Sequence, residues 1–113
     1  MEEENKVSIF GGFVLSEEHL SSFVKENFTE DGDIYSDLMD DLKVDYIDNQ
    51  FQEVLYIGKE VIKDDLVQFS YSESFLHLIN EDLSGYNSVI LLYNFNCKNK
   101  PQKITLIGVY DYR

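Results

Sequence analysis

One segment of the sequence is apolar at nearly every position and is bounded by turn-forming residues. Residues 88–95, SVILLYNF, follow a turn at 84–87 and precede a polar loop at 96–102 that contains the only proline. Continuous apolar character of this kind is typical of a strand in the middle of a sheet. Residues 103–112 predict a final strand, which we expect to be the hairpin partner of 88–95 and its neighbour in the middle of the sheet.

Two other stretches show the alternation of apolar and polar residues that predicts strands. They are residues 6–14 and residues 50–58. In the first of them, the Gly11-Gly12 pair predicts a bulge or a bend.

Apolar residues at helical spacing predict several short helices between these strands. Ser16 is a favourable N-cap for the first helix and Ser72 for the last. The apolar positions are, in chain order, Leu20, Phe23, Val24 and Phe28; Ile34, Leu38 and Leu42; Val61, Ile62, Leu66 and Phe69; and Phe75, Leu76, Ile79 and Leu83. The sequence therefore predicts a single α+β domain over residues 1–113, with a mainly antiparallel sheet of about four strands and helices packed against one face.

Negative charge is concentrated in one part of the chain. The formal net charge is −13, and residues 30–53 hold nine acidic side chains against a single cation, Lys43. Within them, Asp37, Asp41 and Asp45 lie four residues apart and would share one helix face if the helix persisted. Such a surface repels phosphate, which disfavours direct nucleic-acid binding, and it attracts basic partners. The other interpretation of this charge is solubility alone.

Residue types that usually perform catalysis or hold metals are scarce. The chain has two histidines, His19 and His77, and one cysteine, Cys97. Their spacing matches neither metal ligands nor a nucleophile with its base. An EF-hand calcium loop beginning at Asp31 would need a glycine where Ser36 stands. We therefore predict that the protein is not an enzyme and has no metal or cofactor.

Features that would direct the chain to a membrane or out of the cell are missing from the sequence. The first residues, MEEEN, are acidic where a secretion signal is basic. The longest apolar run, 89–93, is far shorter than the roughly 20 residues of a membrane helix. A single cysteine suits a reducing compartment. We expect a soluble cytoplasmic protein, and the sequence carries no prediction of its oligomeric state.

Four local patterns occur together in chain order. The first is IFGGF at 9–13 followed by SEEHL at 16–20, and the third and fourth are strand-like segments at 86–95 and 106–112. The second pattern spans 36–53 and consists of Ser36, Asp41, Tyr46, Asp48, Phe51 and Glu53. Together they resemble the immunity protein 22 family, small bacterial proteins that neutralise the polymorphic toxins of contact-dependent growth inhibition and related systems.

The resemblance implies a cognate toxin domain with a basic surface as the partner. Many such toxins are nucleases with cationic clefts, and an acidic protein that covers the cleft would exclude the substrate. We expect the contact residues to be Asp33, Tyr35, Asp37, Asp40, Asp41, Asp45, Tyr46, Asp48 and Glu53, with the two tyrosines as anchors.

Two alternatives remain open at the level of sequence. The protein could be an acidic mimic of nucleic acid, for example phage-borne, that inhibits a different basic target. It could instead be an adaptor domain whose acidity only keeps it in solution.

Overall fold

The computed structural model describes residues 2–112. The strands are β1 (Glu2–Gly12), β2 (Asn27–Phe28), β3 (Ile34–Tyr35), β4 (Gln52–Tyr56), β5 (Ser88–Phe95) and β6 (Thr105–Asp111). The α-helices are α1 (Glu17–Val24), α2 (Asp37–Leu42) and α3 (Ser72–Phe75), and short 3-10 helices span Asn49–Phe51, Lys63–Gln68 and Leu76–Leu78.

The main sheet has four strands in the order β4-β5-β1-β6, and all neighbouring strands are antiparallel. The predicted α+β class with a mainly antiparallel sheet is thereby confirmed, and so is the central position of β5. The predicted pairing of β5 with β6 is wrong, because β1 lies between them and β6 forms an edge. Val7, Ile9 and Phe10 of β1 are fully buried, so this strand also belongs in the interior of the sheet.

Helices cover both faces of the sheet, whereas the sequence predicted one covered face. On the first face, Leu91 of β5 packs in a core with Phe75 of α3 and residues of the flanking 3-10 helices. On the second face, Ile90 packs in another core with Leu20 of α1 and Leu42 of α2. Successive side chains of a strand point to opposite faces, so the continuous apolar run within β5 requires cover on both.

The register shifts of β1 lie before its two glycines. Gly11 and Gly12 pair in regular register with β5, and the register against β6 shifts between Ile9 and Phe10, so the bulge predicted at the glycine pair does not form there. Gly11 is needed for packing, because a Cβ atom at this position would lie 2.5 Å from the ring of Tyr86. The β1–β5 register shifts near the start of β1, where Asn5 and Asn94 both have positive φ and the Asn94 side chain accepts a hydrogen bond from the Asn5 N–H at 3.1 Å.

Serine caps start both helices of the second face. Ser16 Oγ accepts a hydrogen bond from the backbone N–H of His19 at 3.1 Å, which confirms the predicted cap. Ser36 Oγ accepts one from Met39 at 3.0 Å and opens α2. Helix α1 ends at Val24.

Both of these helices are shorter than the apolar spacing suggested. Phe28 and Ile34 lie in β2 and β3, outside the helices to which they were assigned. Helix α2 ends at Leu42, and Lys43 then takes a left-handed conformation with φ 58°. Asp45 therefore lies beyond the helix, and the expected face shared by three aspartates does not form.

The two helices predicted after residue 60 are also reduced. The first is the 3-10 helix Lys63–Gln68, and the second is α3, which continues as the 3-10 helix Leu76–Leu78. Ser72 is the first residue of α3 and not its N-cap. Its hydroxyl donates a hydrogen bond to the carbonyl of Val67 at 2.8 Å.

Candidate functional site

The acidic stretch is attached to the sheet by its apolar residues. Leu38, Met39, Leu42 and Ile47 are buried in the core of the second face. Burial of these side chains removes apolar surface from water and fixes the path of the chain between them. The intervening carboxylates are consequently held on a folded surface.

Six of the nine predicted contact residues line one open cleft of about 820 Å³. They are Asp33, Tyr35, Asp37, Asp40, Asp45 and Tyr46. We call this the acidic cleft, and its remaining lining residues are Gly32, Ile34, Ser36, Met39 and Val44. Four carboxylates with no lysine or arginine among the lining residues focus a negative potential in the cleft, which favours a cationic occupant.

Two tyrosine rings stand at the acidic cleft with large exposed areas. Tyr35 is 51% exposed and Tyr46 is 61% exposed. Rings of this size combine an apolar body with a polar hydroxyl, and such residues are enriched at protein interfaces.

A second cleft of about 440 Å³ lies on the other side of Tyr46. Val44, Asp45 and Tyr46 line both clefts and so form a ridge between them. The second cleft also contains Asp48, whose carboxylate accepts the backbone N–H of Gln50 at 3.0 Å and caps the following 3-10 helix. Besides Asp45 and Asp48, the charged residues that line the second cleft are Glu2 and Lys43.

Asp41 is directed into the protein. It is 9% exposed, and its carboxylate accepts backbone hydrogen bonds from Gln102 at 2.9 Å, Lys103 at 3.0 Å and Ile104 at 3.3 Å. These bonds join α2 to the segment that leads into β6. The carboxylate of Asp41 is thus bonded within the protein, and Asp41 is not among the residues that line the acidic cleft.

Glu53 is also engaged within the chain. Its carboxylate accepts hydrogen bonds from the Ser70 N–H at 2.9 Å, the Ser70 hydroxyl at 2.8 Å and the Tyr93 hydroxyl at 2.7 Å. Desolvation acts to raise the pKa of Glu53, but the hydrogen bonds from Tyr93 and Ser70 outweigh it, so the pKa lies below its usual value. Burial and the same carboxylate raise the pKa of Tyr93.

Sequence reasoning did not select Glu2 and Phe51, both of which line the second cleft. Phe51 is 42% exposed and belongs to the family-like pattern at residues 36–53, so the sequence did contain a reason to select it as a contact residue. Glu2 reaches the cleft because it pairs with Phe95 across the sheet. That long-range pairing leaves no local trace in the sequence.

The histidines and the cysteine have structural surroundings. His19 Nδ1 accepts the backbone N–H of Leu15 at 3.1 Å, and His77 lies exposed on a 3-10 helix. Cys97 is buried, which raises the pKa of its thiol and disfavours the nucleophilic thiolate. Within residues 2–112, no three or more His, Cys, Asp or Glu side chains are grouped in a way that could hold a metal ion.

The comparison with protein families decides the family. A sequence model described as Immunity protein 22 matches residues 7–113, which include all nine predicted contact residues. The chain belongs to the immunity protein 22 family. Membership confirms the resemblance, supports an immunity function and implies a toxin as the partner. The searches of curated proteins and of solved structures found no match.

A membrane-spanning helix is not found in the part of the chain that the structure describes, since none of its helices is long and apolar enough to cross a bilayer.

Proposed function

We propose that this immunity protein neutralises a cognate bacterial toxin domain by placing its acidic cleft over the toxin's basic active site. The observation that carries the proposal is the collection of Asp33, Asp37, Asp40 and Asp45 around one cleft with no cation among its lining residues. Toxin domains that cleave nucleic acid need cationic surfaces to hold phosphate. We therefore propose a nuclease domain as the target.

Inhibition on this proposal is steric, and charge accelerates it. Complementary potentials raise association rates toward about 10⁸–10⁹ M⁻¹s⁻¹ at low salt. Affinity comes from a few desolvated anchors, for which Tyr35 and Tyr46 have the required exposed rings. Asp41 and Glu53 are left out of the proposed interface, because their carboxylates already hold internal hydrogen bonds.

The proposed activity requires binding without catalysis. His19 and Cys97 make structural hydrogen bonds, and His77 has no catalytic partner among the described residues. The three side chains stand in separate surroundings. We propose that the protein acts in the cytoplasm of the cell that produces the toxin, where it meets incoming toxin from sister cells.

The test reverses charge in the acidic cleft. The variant Asp37→Lys, Asp40→Lys and Asp45→Lys is compared with Glu4→Lys, Glu60→Lys and Glu73→Lys, three exposed sites that do not line the cleft. Both variants change the net charge equally. Growth protection and binding are measured against the toxin domain encoded beside the gene of this protein, in a catalytically inactive form for the binding experiments.

We expect the cleft variant to lose protection, because like charges brought together at an interface cost several kcal/mol. The matched variant should keep most of it, since exposed pairs contribute about 1 kcal/mol or less. Equal protection by the two variants would refute the acidic cleft as the interface. If neither variant nor the wild type bound that toxin domain, and the wild type bound a different basic protein, mimicry of nucleic acid would replace immunity.

A further inference from the structure

Strand β4 is an edge of the main sheet with a regular backbone. In the described part of the chain it pairs only with β5, over Gln52–Tyr56, and its register shows no shift. The other edge, β6, is interrupted by a register shift against β1. A bulge protects an edge from pairing with other chains, so β4 is the edge better suited to accept a strand.

The hydrogen-bonding phase of β4 identifies which groups face outward. The N–H of Ile57 donates to the carbonyl of Asn87 at 2.9 Å, so residue 57 is directed toward β5. In an antiparallel ladder this direction alternates, which turns Leu55 and Glu53 toward β5 as well. The backbone groups of Val54 and Tyr56 therefore point to the open edge.

The side chains of β4 do not guard that edge. The strand has no lysine or proline, and its one charged residue is Glu53. Both oxygens of Glu53 are engaged with Ser70 and Tyr93 on the first face. Val54, on the other face, is 38% exposed, which leaves an apolar side chain beside the unpaired backbone.

The open edge continues directly into the second cleft. Phe51 immediately precedes β4 and lines that cleft, and Leu92, which pairs with Gln52, lines it too. Carboxylates of Glu2, Asp45 and Asp48 line the cleft against the single cation Lys43. A strand laid along β4 would thus have one end beside an acidic, partly aromatic surface.

We propose that the edge of β4 receives an extended segment of the cognate toxin as an additional strand, with a lysine or arginine of that segment entering the second cleft. Main-chain hydrogen bonds to Val54 and Tyr56 supply affinity in this mode, and the cleft supplies the preference for a cation. The proposal rests on the proposed function, because it names a contact of the same toxin.

The first measurement is amide hydrogen exchange of the wild-type protein, free and bound to the inactive toxin domain encoded beside its gene. Outward amides of an edge strand exchange rapidly, whereas pairing with a strand protects them. We expect the amides of Val54 and Tyr56 to become protected in the complex, while Leu55 is already protected in the free protein.

The second measurement compares Val54→Pro with Val54→Thr. Proline removes the outward N–H, and an edge strand tolerates it there because the ladder to β5 does not use that group. Threonine keeps both the N–H and the branched side chain. We expect the proline variant to bind the toxin about tenfold more weakly than the threonine variant, because only the proline variant lacks the outward main-chain donor.

Failure of this proposal is distinguishable from failure of the proposed function. If the toxin binds and reversal of the acidic cleft abolishes binding, but Val54 and Tyr56 stay unprotected, the strand proposal is overturned and the proposed function stands. If Val54→Pro fails to fold, the exchange measurement on the wild type decides alone. Protection of the same amides in a dimer of the free protein would assign the edge to a second copy and overturn the proposal.

Discussion

Neighbouring residues of one type have different roles in this protein. Asp40 and Asp41 are adjacent in α2, yet Asp40 is exposed at the acidic cleft and Asp41 is bonded to the backbone before β6. The partners of Asp41 lie about sixty residues further along the chain. A local pattern of charge cannot distinguish the two, because the distinction is made by tertiary contacts.

Replacement of Asp41 by alanine should destabilise the fold. The substitution leaves the backbone N–H groups of residues 102–104 without their acceptor, which costs about 1–3 kcal/mol when such groups stay buried. Asp40→Ala, which removes an exposed carboxylate from the same helix, should change the free energy of unfolding by about 0.5 kcal/mol or less. Urea denaturation of the two variants checks this, and equal destabilisation would contradict the structural role of Asp41.

Glu53 should make stability depend on pH in a defined window. Desolvation acts to raise its folded-state pKa, but the hydrogen bonds from Tyr93 and Ser70 outweigh it and hold the pKa below the ordinary value of 4.5. A depressed carboxyl pKa adds stability that is fully present above the unfolded-state pKa and is lost as the pH falls through the folded-state pKa.

The comparison is therefore between wild type and Glu53→Gln, by urea denaturation from about pH 7 to about pH 3. The wild type should be the more stable protein at the upper end, and the difference should shrink below the unfolded-state pKa. Glu60→Gln, at an exposed position, serves as the control. A difference that stays constant over the whole range would show that Glu53 does not act through its charge.

At the scale of elements, the sequence predicts local features better than strand neighbours. The cap at Ser16 and the central position of β5 are confirmed, because each depends on residues close together in the chain. The place of β1 between β5 and β6 depends on pairings about eighty to one hundred residues apart, which apolar alternation does not encode. The same limit applies to the site. All residues that line the acidic cleft come from the single local segment 32–46, whereas the carboxylates of Asp41 and Glu53 are bound by distant partners.

Strand order has a consequence for local stability. Amide exchange should be slowest in β5 and in the paired part of β1, which have neighbours on both sides, and faster in β6. Within β6, the N–H of Tyr112 donates to the carbonyl of Asn5, so alternation directs the amides of Val109 and Asp111 to the open edge. These two should exchange faster than Tyr110. Uniform protection across β5 and β6 would contradict the edge position of β6.

On the scale of the whole molecule, charge is distributed unevenly over the chain. Residues 86–113 carry four cations against one acid, Asp111, while the chain as a whole has a net charge of −13. The acidic cleft comes from the opposite, strongly negative part of the sequence. The four carboxylates of the acidic cleft, with no cation among its lining residues, give a local negative field that orients an approaching basic protein before contact, so that productive encounters are enriched.

This field predicts how association with the toxin depends on salt. Exposed charges are screened beyond about 8 Å at physiological ionic strength, so the wild-type association rate constant should fall steeply as salt rises, with a much smaller change in the dissociation rate constant. The variant Asp37→Asn, Asp40→Asn and Asp45→Asn should associate more slowly and with a shallower salt dependence.

The control variant carries Glu4→Gln, Glu60→Gln and Glu73→Gln, which alter the net charge by the same amount away from the acidic cleft. If net charge alone governed association, stopped-flow measurements would give both variants the same slope. A steeper slope for the matched variant than for the cleft variant is the expected result, because the field of the acidic cleft acts where the two surfaces meet.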